Sequence, residues 1–362
     1  MEKMRVLYVL YEFPEISQTY MKSELEALQH DYDIRVITRN AAHNPYRGHF
    51  PFTETNDLEA IREAAHEFKP HVLHGHYLHT AFYLSNLAKS LQVPFTLRAH
   101  SFDVIKPPRP LVTRVKVAVR TRSPKRVVAG GHIKAMAPLI NDEHCLGLLT
   151  FPFTRGLLEK NGIAPDKIVD CFPVVNFDLF YDRSSNGEHI MNTGAAIPKK
   201  RMEDFVTLAK ELPHLEFNLY AMGYDVGRLQ TVNEAAGRPV NFQPLIEPNQ
   251  MPAEYKKHQW LVYTASFDMK TVGWPMAIAE AQASGVGVCM ANIRPDLKQY
   301  VGDAGILFDS LHDIMDVIQK PVPEEMREAG FEQARKSNIN EHKRLLTDLW
   351  DQVRVRQPAS NA

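Results

Sequence analysis

Three basic residues follow a glycine at a predicted strand-to-helix turn. A strand is predicted to end at Gly194, and a helix is predicted to begin at Met202. The turn between them carries Lys199, Lys200 and Arg201. A helix N-terminus offers free backbone N–H groups and the positive end of its dipole, and a lysine adds a full charge. The pattern therefore predicts an anion site, although a solvated basic turn would have the same sequence.

A carboxylate lies in the first turns of an Ala-rich helix in the same half of the chain. Gly273 and Pro275 form a loop before that helix, and Glu280 follows it. A carboxylate can accept hydrogen bonds from a vicinal diol such as ribose. Ordinary stabilisation of the helix N-terminus by an acidic residue is the alternative. Because both segments follow strands of one predicted sheet, they could converge on one ligand.

A histidine and an aspartate three residues apart close a predicted strand in the first half of the chain. His100 and Asp103 could orient hydroxyl groups or share a proton there. The alternative is that Asp103 caps the following turn and that His100 is a partly buried residue with its own hydrogen bonds. Both interpretations place the pair at the carboxyl end of a strand.

Three further histidines, His74, His76 and His79, lie close together in the sequence. The residues beside them include no carboxylate or cysteine that would complete a metal site. Alternation along a strand also brings His74 and His76 to one face without any ligand role. Metal binding is therefore not predicted at this cluster.

The elements that must position these residues alternate between short β-branched runs and longer amphipathic runs. This rhythm is typical of a doubly wound α/β fold. The strands predicted in the first half are 5–10, 34–38, 71–75, 94–99, 126–129, 147–151 and 168–172. Those predicted in the second half are 190–194, 216–221, 240–245, 261–265, 286–290 and 306–308.

The polar, turn-forming run 182–187 separates the two halves and predicts a linker. We expect a first Rossmann-like domain over 1–180 and a second over 188–340. Two such domains joined by a hinge would face each other across a cleft, where ligands bind by default. The segment 324–356 is predicted to be helical, and the C-terminal part, 341–362, is expected to cross back to the first domain.

The composition is that of an ordinary globular protein of 362 residues. Its 42 basic and 43 acidic residues argue against a general nucleic-acid-binding protein. Three scattered cysteines suit a reducing compartment. No apolar run approaches the roughly 18 residues that a membrane span needs, and the N-terminus does not resemble a signal peptide. We therefore expect a cytoplasmic protein.

One stretch of the first half is strongly basic. Residues 104–141 contain nine Lys and Arg residues and no Asp or Glu. Such a block, interleaved with apolar residues, could bind an anionic membrane surface or a phosphate-bearing acceptor. A solvated basic face is the alternative.

Taken in order, the motifs resemble those of the retaining GT-B glycosyltransferases of the "glycosyl transferases group 1" family. The resemblance covers nearly the whole chain, and the combination of motifs is more specific than any one of them. It rests on residues 13–20 with Glu24 and Leu28, and on residues 100–103, 162–167, 173–180, 197–201 and 273–285.

This resemblance implies transfer of a sugar from a nucleotide-sugar, UDP-sugar or GDP-sugar, to a glycan, lipid-linked or small-molecule acceptor. It implies retention of the anomeric configuration and no metal or other cofactor. The residues implied in catalysis are His100, Asp103 and Lys200. Those implied in donor binding are Gly194, Lys199, Lys200, Arg201, Leu245, Ile246, Gly273, Trp274, Pro275, Met276 and Glu280. Those implied in acceptor binding are Ser17, Thr19, His76 and His100.

Two positions depart from the family pattern. Ala195 stands where the family usually has an arginine beside the phosphate turn, and Val272 stands where it usually has a glutamate. These departures keep open a second hypothesis, a catalytically silent GT-B protein that binds a nucleotide or a protein partner. A nucleotide-sugar epimerase of the same architecture is a third.

Overall fold

The structure is a computed structural model that describes residues 3–46, 48–105 and 131–356, without the side chains of residues 131 and 354–356. Its contacts divide the chain into two compact units. The first unit is Met1–Phe172 with His342–Ala362, and the second is Pro173–Glu341. Most of the basic stretch 104–141 and all of the predicted strand 126–129 lie outside the described residues.

Parallel strands form the core of the first unit. They are β1 (Met4–Leu10), β2 (Tyr32–Thr38), β3 (Thr53–Glu54), β4 (Val72–His76), β5 (Phe95–Arg98), β6 (Cys145–Thr150) and β7 (Ile168–Asp170). Within the described residues they make one sheet of order β3-β2-β1-β4-β5-β6-β7. Their β-branched and aliphatic character follows from this arrangement, because helices cover both faces of a parallel sheet.

The helices of the first unit follow the strands in the alternation that the sequence predicts. They are α1 (Thr19–Leu28), α2 (Leu58–Phe68), α3 (Ala81–Leu91), α4 (Ser101–Ile105), α5 (Gly131–Ile140) and α6 (Arg155–Lys160). On α1, Leu25 and Leu28 share one helical face and are both fully buried. Glu24 is buried beside them, so the same face carries a carboxylate into the interior.

The second unit repeats this architecture. Its strands are β8 (His189–Ala195), β9 (Phe217–Met222), β10 (Val240–Phe242), β11 (His258–Tyr263), β12 (Gly287–Ala291) and β13 (Ile306–Phe308). They are parallel and ordered β10-β9-β8-β11-β12-β13 in the described part of the chain. Its helices are α7 (Phe177–Phe180), α8 (Met202–Glu211), α9 (Val226–Ala235), α10 (Met251–Tyr255), α11 (Met276–Ala283), α12 (Leu297–Val301), α13 (His312–Met315) and α14 (Glu324–Arg335).

Each sheet has one point where the order of its strands reverses. This point lies between β1 and β4 in the first sheet and between β8 and β11 in the second. In open α/β sheets, ligands bind outside the carboxyl ends of the strands at such points. The prediction of two doubly wound α/β sheets is confirmed, and the two reversals mark where a site is expected.

The C-terminal segment 324–356 is helical, as predicted, but a short break divides it into two helices. Helix α14 ends at Arg335, and α15 spans Ile339–Arg356. Between them, Val175 donates its N–H to the Ser337 carbonyl (2.8 Å) and accepts the Ile339 N–H (2.8 Å). These bonds take the backbone groups out of a helical ladder. No described helix combines the length and apolar character that a bilayer crossing requires.

Candidate functional site

In the second unit, the end of β8 is shaped to receive a lysine. Gly194 has a φ of 124°, a conformation that favours glycine. A Cβ at this position would collide with the Lys200 ammonium. That ammonium lies 5.2 Å from the centre of the Tyr263 ring, at the end of β11. Lys200 therefore occupies the reversal point of the second sheet.

Hydrogen bonds tie the lysine turn to the segment that follows β11. The Thr264 hydroxyl donates to the Lys200 carbonyl oxygen (2.7 Å), and the Ser266 N–H donates to that of Lys199 (2.9 Å). Among the described residues no carboxylate pairs with the Lys200 ammonium. Burial, with help from the charge of Lys199, lowers the pKa of Lys200 to about 8. A partly buried cation without a counter-ion has the chemistry of an anion site.

The other two basic residues of the turn have different surroundings. Arg201 is exposed, and its guanidinium pairs with Asp204 (2.8 Å) and lies 3.8 Å from Glu203. Its charge is therefore largely compensated within its own turn. Lys199 is partly buried, and that burial lowers its pKa. Of the three predicted cations, Lys200 is the one that the structure holds at the sheet reversal.

The loop before α11 is anchored by its tryptophan. Trp274 is buried, donates its indole N–H to Asp296 (2.9 Å) and stacks on Tyr300 with ring centres 4.9 Å apart. The Tyr300 hydroxyl donates to the Pro275 carbonyl (2.5 Å). These contacts fix the backbone of the loop, while Met276 opens α11 without a side-chain cap. Trp274 is thus placed to support the loop, and the first backbone N–H groups of α11 have no side-chain cap.

Glu280 lies on the second turn of α11 and is partly buried. Its Oε2 atom accepts a hydrogen bond from the Tyr255 hydroxyl (2.8 Å). Burial raises the pKa of Glu280 to about 7, against the opposing effect of this hydrogen bond. Its Oε1 atom keeps its capacity to accept a hydroxyl group.

The remaining predicted positions of the second unit fall into two groups. Leu245 and Ile246 follow β10, and Leu245 is 45% exposed, so it presents an apolar surface to solvent. Val272 is buried, whereas Ala195 and Gly273 are partly buried. Ala195 and Val272, the two departures from the family pattern, place uncharged side chains where the family has an arginine and a glutamate.

In the first unit, His100 follows β5, is partly buried and packs against two tyrosines. Its ring centre lies 4.7 Å from that of Tyr20 and 4.6 Å from that of Tyr77. The Tyr20 and Tyr77 hydroxyls are hydrogen-bonded to each other at 2.8 Å. Nε2 of His100 lies 3.1 Å from Nδ1 of His76. The imidazole therefore packs against two tyrosine rings and makes a hydrogen bond with His76.

Asp103 supports the same loop through the backbone. Its carboxylate accepts the N–H groups of His100 (2.7 Å) and Leu78. Burial raises the pKa of Asp103 to about 7, although both N–H groups oppose the shift. The hydrogen-bond partner of the His100 ring is His76 rather than Asp103. This geometry matches the capping interpretation of Asp103 more closely than proton sharing with His100.

A buried network lies beneath His100, and sequence reasoning missed most of it. Glu24 Oε1 accepts hydrogen bonds from the Tyr8 hydroxyl (2.9 Å) and from His76 Nε2 (3.1 Å). Glu24 Oε2 lies 2.5 Å from His342 Nε2 and 3.9 Å from the Arg98 guanidinium. These side chains come from α1, β1, β4, β5 and α15, and no short motif joins residues so far apart in the chain. The buried polar residue on the apolar face of α1 was the available signal.

The same network raises the question of a metal site. Donor atoms of Glu24, His74 and His76 lie within 4.8 Å of one another, so a carboxylate does complete the histidine pair. Arg98, however, is buried next to Glu24 and donates to His342 at 2.9 Å. The Arg98 and Glu24 charges already cancel, and a divalent cation would add two uncompensated positive charges in a buried place. The surroundings therefore favour a hydrogen-bonded network over a cation site.

The remaining residues singled out in the first unit are Ser17 and Thr19 near the start of α1, His76 within the network, and His79 outside it. Ser17 is exposed and donates its hydroxyl to Glu15 (2.5 Å). Thr19 begins α1 and is partly buried. His76 is fully buried, so it can reach a ligand only through His100. His79 is exposed and packs its ring edge-on against Tyr11 at 5.2 Å.

Comparison with known proteins gives structural matches only. No family model matches the chain, and no curated protein sequence matches it. HepE of Anabaena, solved with UDP and glucose, is 11% identical with a TM-score of 0.73 and covers 96% of this chain and 100% of its own. Sucrose-phosphate synthase of Thermosynechococcus elongatus is 13% identical with a TM-score of 0.73, covering 98% and 100%.

A glycosyltransferase of Rickettsia africae is also similar, with 14% identity, a TM-score of 0.63, and coverage of 98% of this chain and 99% of that one. At these identities the likeness establishes the fold. The chain has the GT-B fold of these glycosyltransferases, with two Rossmann-like units. The fold predicted from the motifs is thus confirmed.

Proposed function

We propose that this protein is a retaining glycosyltransferase that transfers a sugar from a UDP-sugar to a glycan, lipid-linked or small-molecule acceptor without a metal ion. The Lys200 ammonium carries the proposal, because it lies at the reversal point of the second sheet with no carboxylate partner among the described residues. HepE, which has the same fold, is solved with UDP and with UDP-glucose. That likeness favours UDP over GDP as the nucleotide.

Lys200 would act on the leaving group. Breaking the bond between the sugar and the diphosphate adds negative charge to the diphosphate, and a preorganised cation stabilises that charge. The uncapped N-terminus of α11 would supply backbone N–H groups to the same anion. A protein cation at this position supports metal-independent transfer, since it supplies positive charge where a divalent ion would otherwise be needed.

Glu280 and the segment after β10 would hold the nucleoside. Oε1 of Glu280, which has no hydrogen-bond partner among the described residues, can accept a hydrogen bond from a ribose hydroxyl, while Tyr255 keeps the carboxylate in place. Leu245 and Ile246 would flank the base. Gly194 would let the Lys200 side chain reach the diphosphate, and the loop 273–276 would pass beside it.

The first unit would bind the sugar acceptor. His100 presents a partly buried imidazole after β5, and Asp103 fixes the backbone on which it stands. Ser17 and Thr19 offer hydroxyl groups at the start of α1 for contacts with the acceptor. Retention of the anomeric configuration is proposed from the order of the sequence motifs.

A silent GT-B protein that binds a nucleotide or a protein partner is the second candidate. Its support is the pair of departures at Ala195 and Val272. Val272 is buried and provides no carboxylate for the donor sugar. Arg201 is paired with Asp204, so its charge does not replace the arginine that the family has in place of Ala195. Turnover decides between the two candidates: a silent protein would bind UDP and leave a UDP-sugar intact.

We also propose a cytoplasmic protein that attaches to the inner face of a membrane through the basic stretch 104–141. Lys and Arg near an anionic bilayer contribute about 1 kcal/mol each, so even partial engagement would be measurable. Sedimentation with vesicles should therefore show more binding to anionic than to neutral lipid. Equal binding to both would reject membrane attachment by charge.

Calorimetric titration against UDP, GDP, ADP, dTDP and CMP tests the donor site. We expect UDP to bind with micromolar affinity and Lys200→Met to weaken that binding strongly. Arg201→Met is the matched control, because it removes a cation that is already paired with Asp204. Failure of all five nucleotides to bind would contradict the enzyme proposal.

A further inference from the structure

In the network beneath His100, the donor and the acceptor of each hydrogen bond can be assigned in turn. The assignment starts from the Glu24 carboxylate. Burial alone would raise the pKa of Glu24, but the neighbouring His76 and His342, with hydrogen bonds from His342 and His74, bring it well below its ordinary value. The Arg98 guanidinium 3.9 Å away supplies a compensating charge. The carboxylate is therefore ionised at neutral pH, and an ionised carboxylate can only accept hydrogen bonds.

The assignment passes from Glu24 to His76. Because Glu24 Oε1 cannot donate, the hydrogen of this 3.1 Å contact must lie on His76 Nε2. Burial lowers the pKa of His76 to about 4, so the ring is neutral at pH 7 and carries one N–H. Its Nδ1 atom is therefore an acceptor.

The assignment then passes from His76 to His100. His76 Nδ1 has no hydrogen to give, so the 3.1 Å contact requires a hydrogen on His100 Nε2. Burial, reinforced by His76 and Arg98, lowers the pKa of His100 well below its ordinary value. A neutral His100 with its hydrogen on Nε2 has a lone pair on Nδ1, and that atom has no hydrogen-bond partner among the described residues.

We propose that Glu24 and His76 are positioning residues that hold His100 in its Nε2–H tautomer, so that His100 Nδ1 accepts a hydrogen bond from a sugar hydroxyl. The assignment of a sugar hydroxyl as the donor rests on the proposed function, whereas the tautomer follows from the network alone. The neighbouring rings of Tyr20 and Tyr77 oppose rotation of the imidazole. The bond from the His100 N–H to Asp103 fixes the backbone of the same residue.

Nitrogen NMR of the full-length protein, labelled with ¹⁵N-histidine, tests the tautomer directly. The His100 signals can be assigned by their loss in His100→Gln. At pH 7 we expect a protonated Nε2 and an unprotonated Nδ1 on His100 of the wild-type protein. A protonated Nδ1, or an equal mixture of tautomers, would overturn the inference whatever the protein does.

Variants separate positioning from packing. His76→Phe keeps a buried ring but removes the acceptor, so His100 should become a mixture of tautomers. Tyr8→Phe is the matched control, because it removes another hydrogen bond to the same oxygen of Glu24. It leaves intact the hydrogen bonds between Glu24 and His76 and between His76 and His100. We expect Tyr8→Phe to leave the His100 tautomer unchanged. A mixture of His100 tautomers in that variant would contradict the proposed control of the tautomer by Glu24 and His76.

Transfer kinetics test the role of the sugar hydroxyl. Losing one oriented hydrogen bond should lower kcat/KM in His76→Phe by about tenfold. Affinity for UDP should not change, because no residue of the network belongs to the donor site. A changed tautomer with unchanged transfer would overturn the role for His100 Nδ1. The expected tautomer without nucleotide binding or turnover would instead reject the proposed function and leave the tautomer assignment standing.

Discussion

Replacing Lys200 with methionine should weaken UDP binding and remove its dependence on pH above neutrality. The lysine lies against Gly194 and 5.2 Å from the Tyr263 ring centre, with a pKa lowered to about 8 by burial. Methionine fills a similar volume and removes the charge. The comparison therefore isolates the ammonium group.

The expected size follows from the contact that the ammonium would make. A hydrogen bond to a charged group contributes about 1.5–3 kcal/mol, which corresponds to roughly 10- to 150-fold in affinity. The wild-type protein must keep Lys200 protonated to bind the diphosphate. Because the pKa of Lys200 is about 8, the Kd should rise by up to about tenfold per pH unit above pH 8.

Isothermal titration with UDP between pH 6.5 and 9.5 measures both effects. Lys200→Met over the same range corrects for the ionisation of UDP itself. Arg201→Met should change the Kd by less than about threefold, because Arg201 is exposed and paired with Asp204. A Lys200→Met variant that binds UDP as well as wild type, or that shows the same pH dependence, would refute the role of Lys200.

Three further perturbations address other parts of the structure. The wild-type protein should bind UDP more tightly than its 2′,3′-dideoxy analogue, and Glu280→Ala should remove most of that difference in affinity. Tyr255→Phe should reduce the difference only partly, because Glu280 itself remains. The same difference in affinity in wild type and Glu280→Ala would contradict the ribose contact. Stability should fall as pH falls from 6.5 to 4, because the unfolded chain takes up protons at His76, His100, His258 and His342, whose folded pKa values are lowered by burial. Asp103 and Glu280, with folded pKa values of about 7, take up protons in the folded state and offset two of these four groups, which leaves a net slope of up to about 2.7 kcal/mol per pH unit. Urea denaturation at pH 7 and pH 5 measures this loss, and equal stability at both would contradict it. Trp350→Ala should cost about 3–5 kcal/mol in the free energy of unfolding, because Trp350 is fully buried; a loss below about 1 kcal/mol would be inconsistent with that packing.

The fold was within reach of sequence reasoning because the relevant signals are local. Strands such as β8 and β13 are short apolar runs between helices, and each lies where the alternation places it. The break within the predicted helical segment 324–356 could not be predicted, because a long-range contact decides it. Val175 pairs with Ser337 and Ile339, and nothing within the segment itself indicates that pairing.

In the candidate site, too, the part formed by residues close together in the sequence could be predicted, and the part formed by long-range contacts could not. The turn at Gly194 and Lys200 is contiguous in sequence, and the structure places it at the reversal of the sheet. The network around Glu24 joins residues as distant as Arg98 and His342, so the chemistry of any one of them is set by neighbours that the sequence does not place. The apparent lack of a carboxylate near His74 had this cause, since Glu24 lies on α1.

The central claim is that this protein breaks the bond between a sugar and UDP. The most direct measurement is release of UDP from UDP-sugars, including UDP-glucose, first with water alone and then with glycan and lipid-linked acceptors. We predict slow release of UDP without an acceptor and faster release with a suitable acceptor. The product should keep the anomeric configuration of the donor sugar, as measured by proton NMR. A chelator should not slow the release of UDP, and Lys200→Met should slow it strongly. Recovery of every bound UDP-sugar intact, at the rate seen without protein, would contradict the account and favour a silent nucleotide-binding protein.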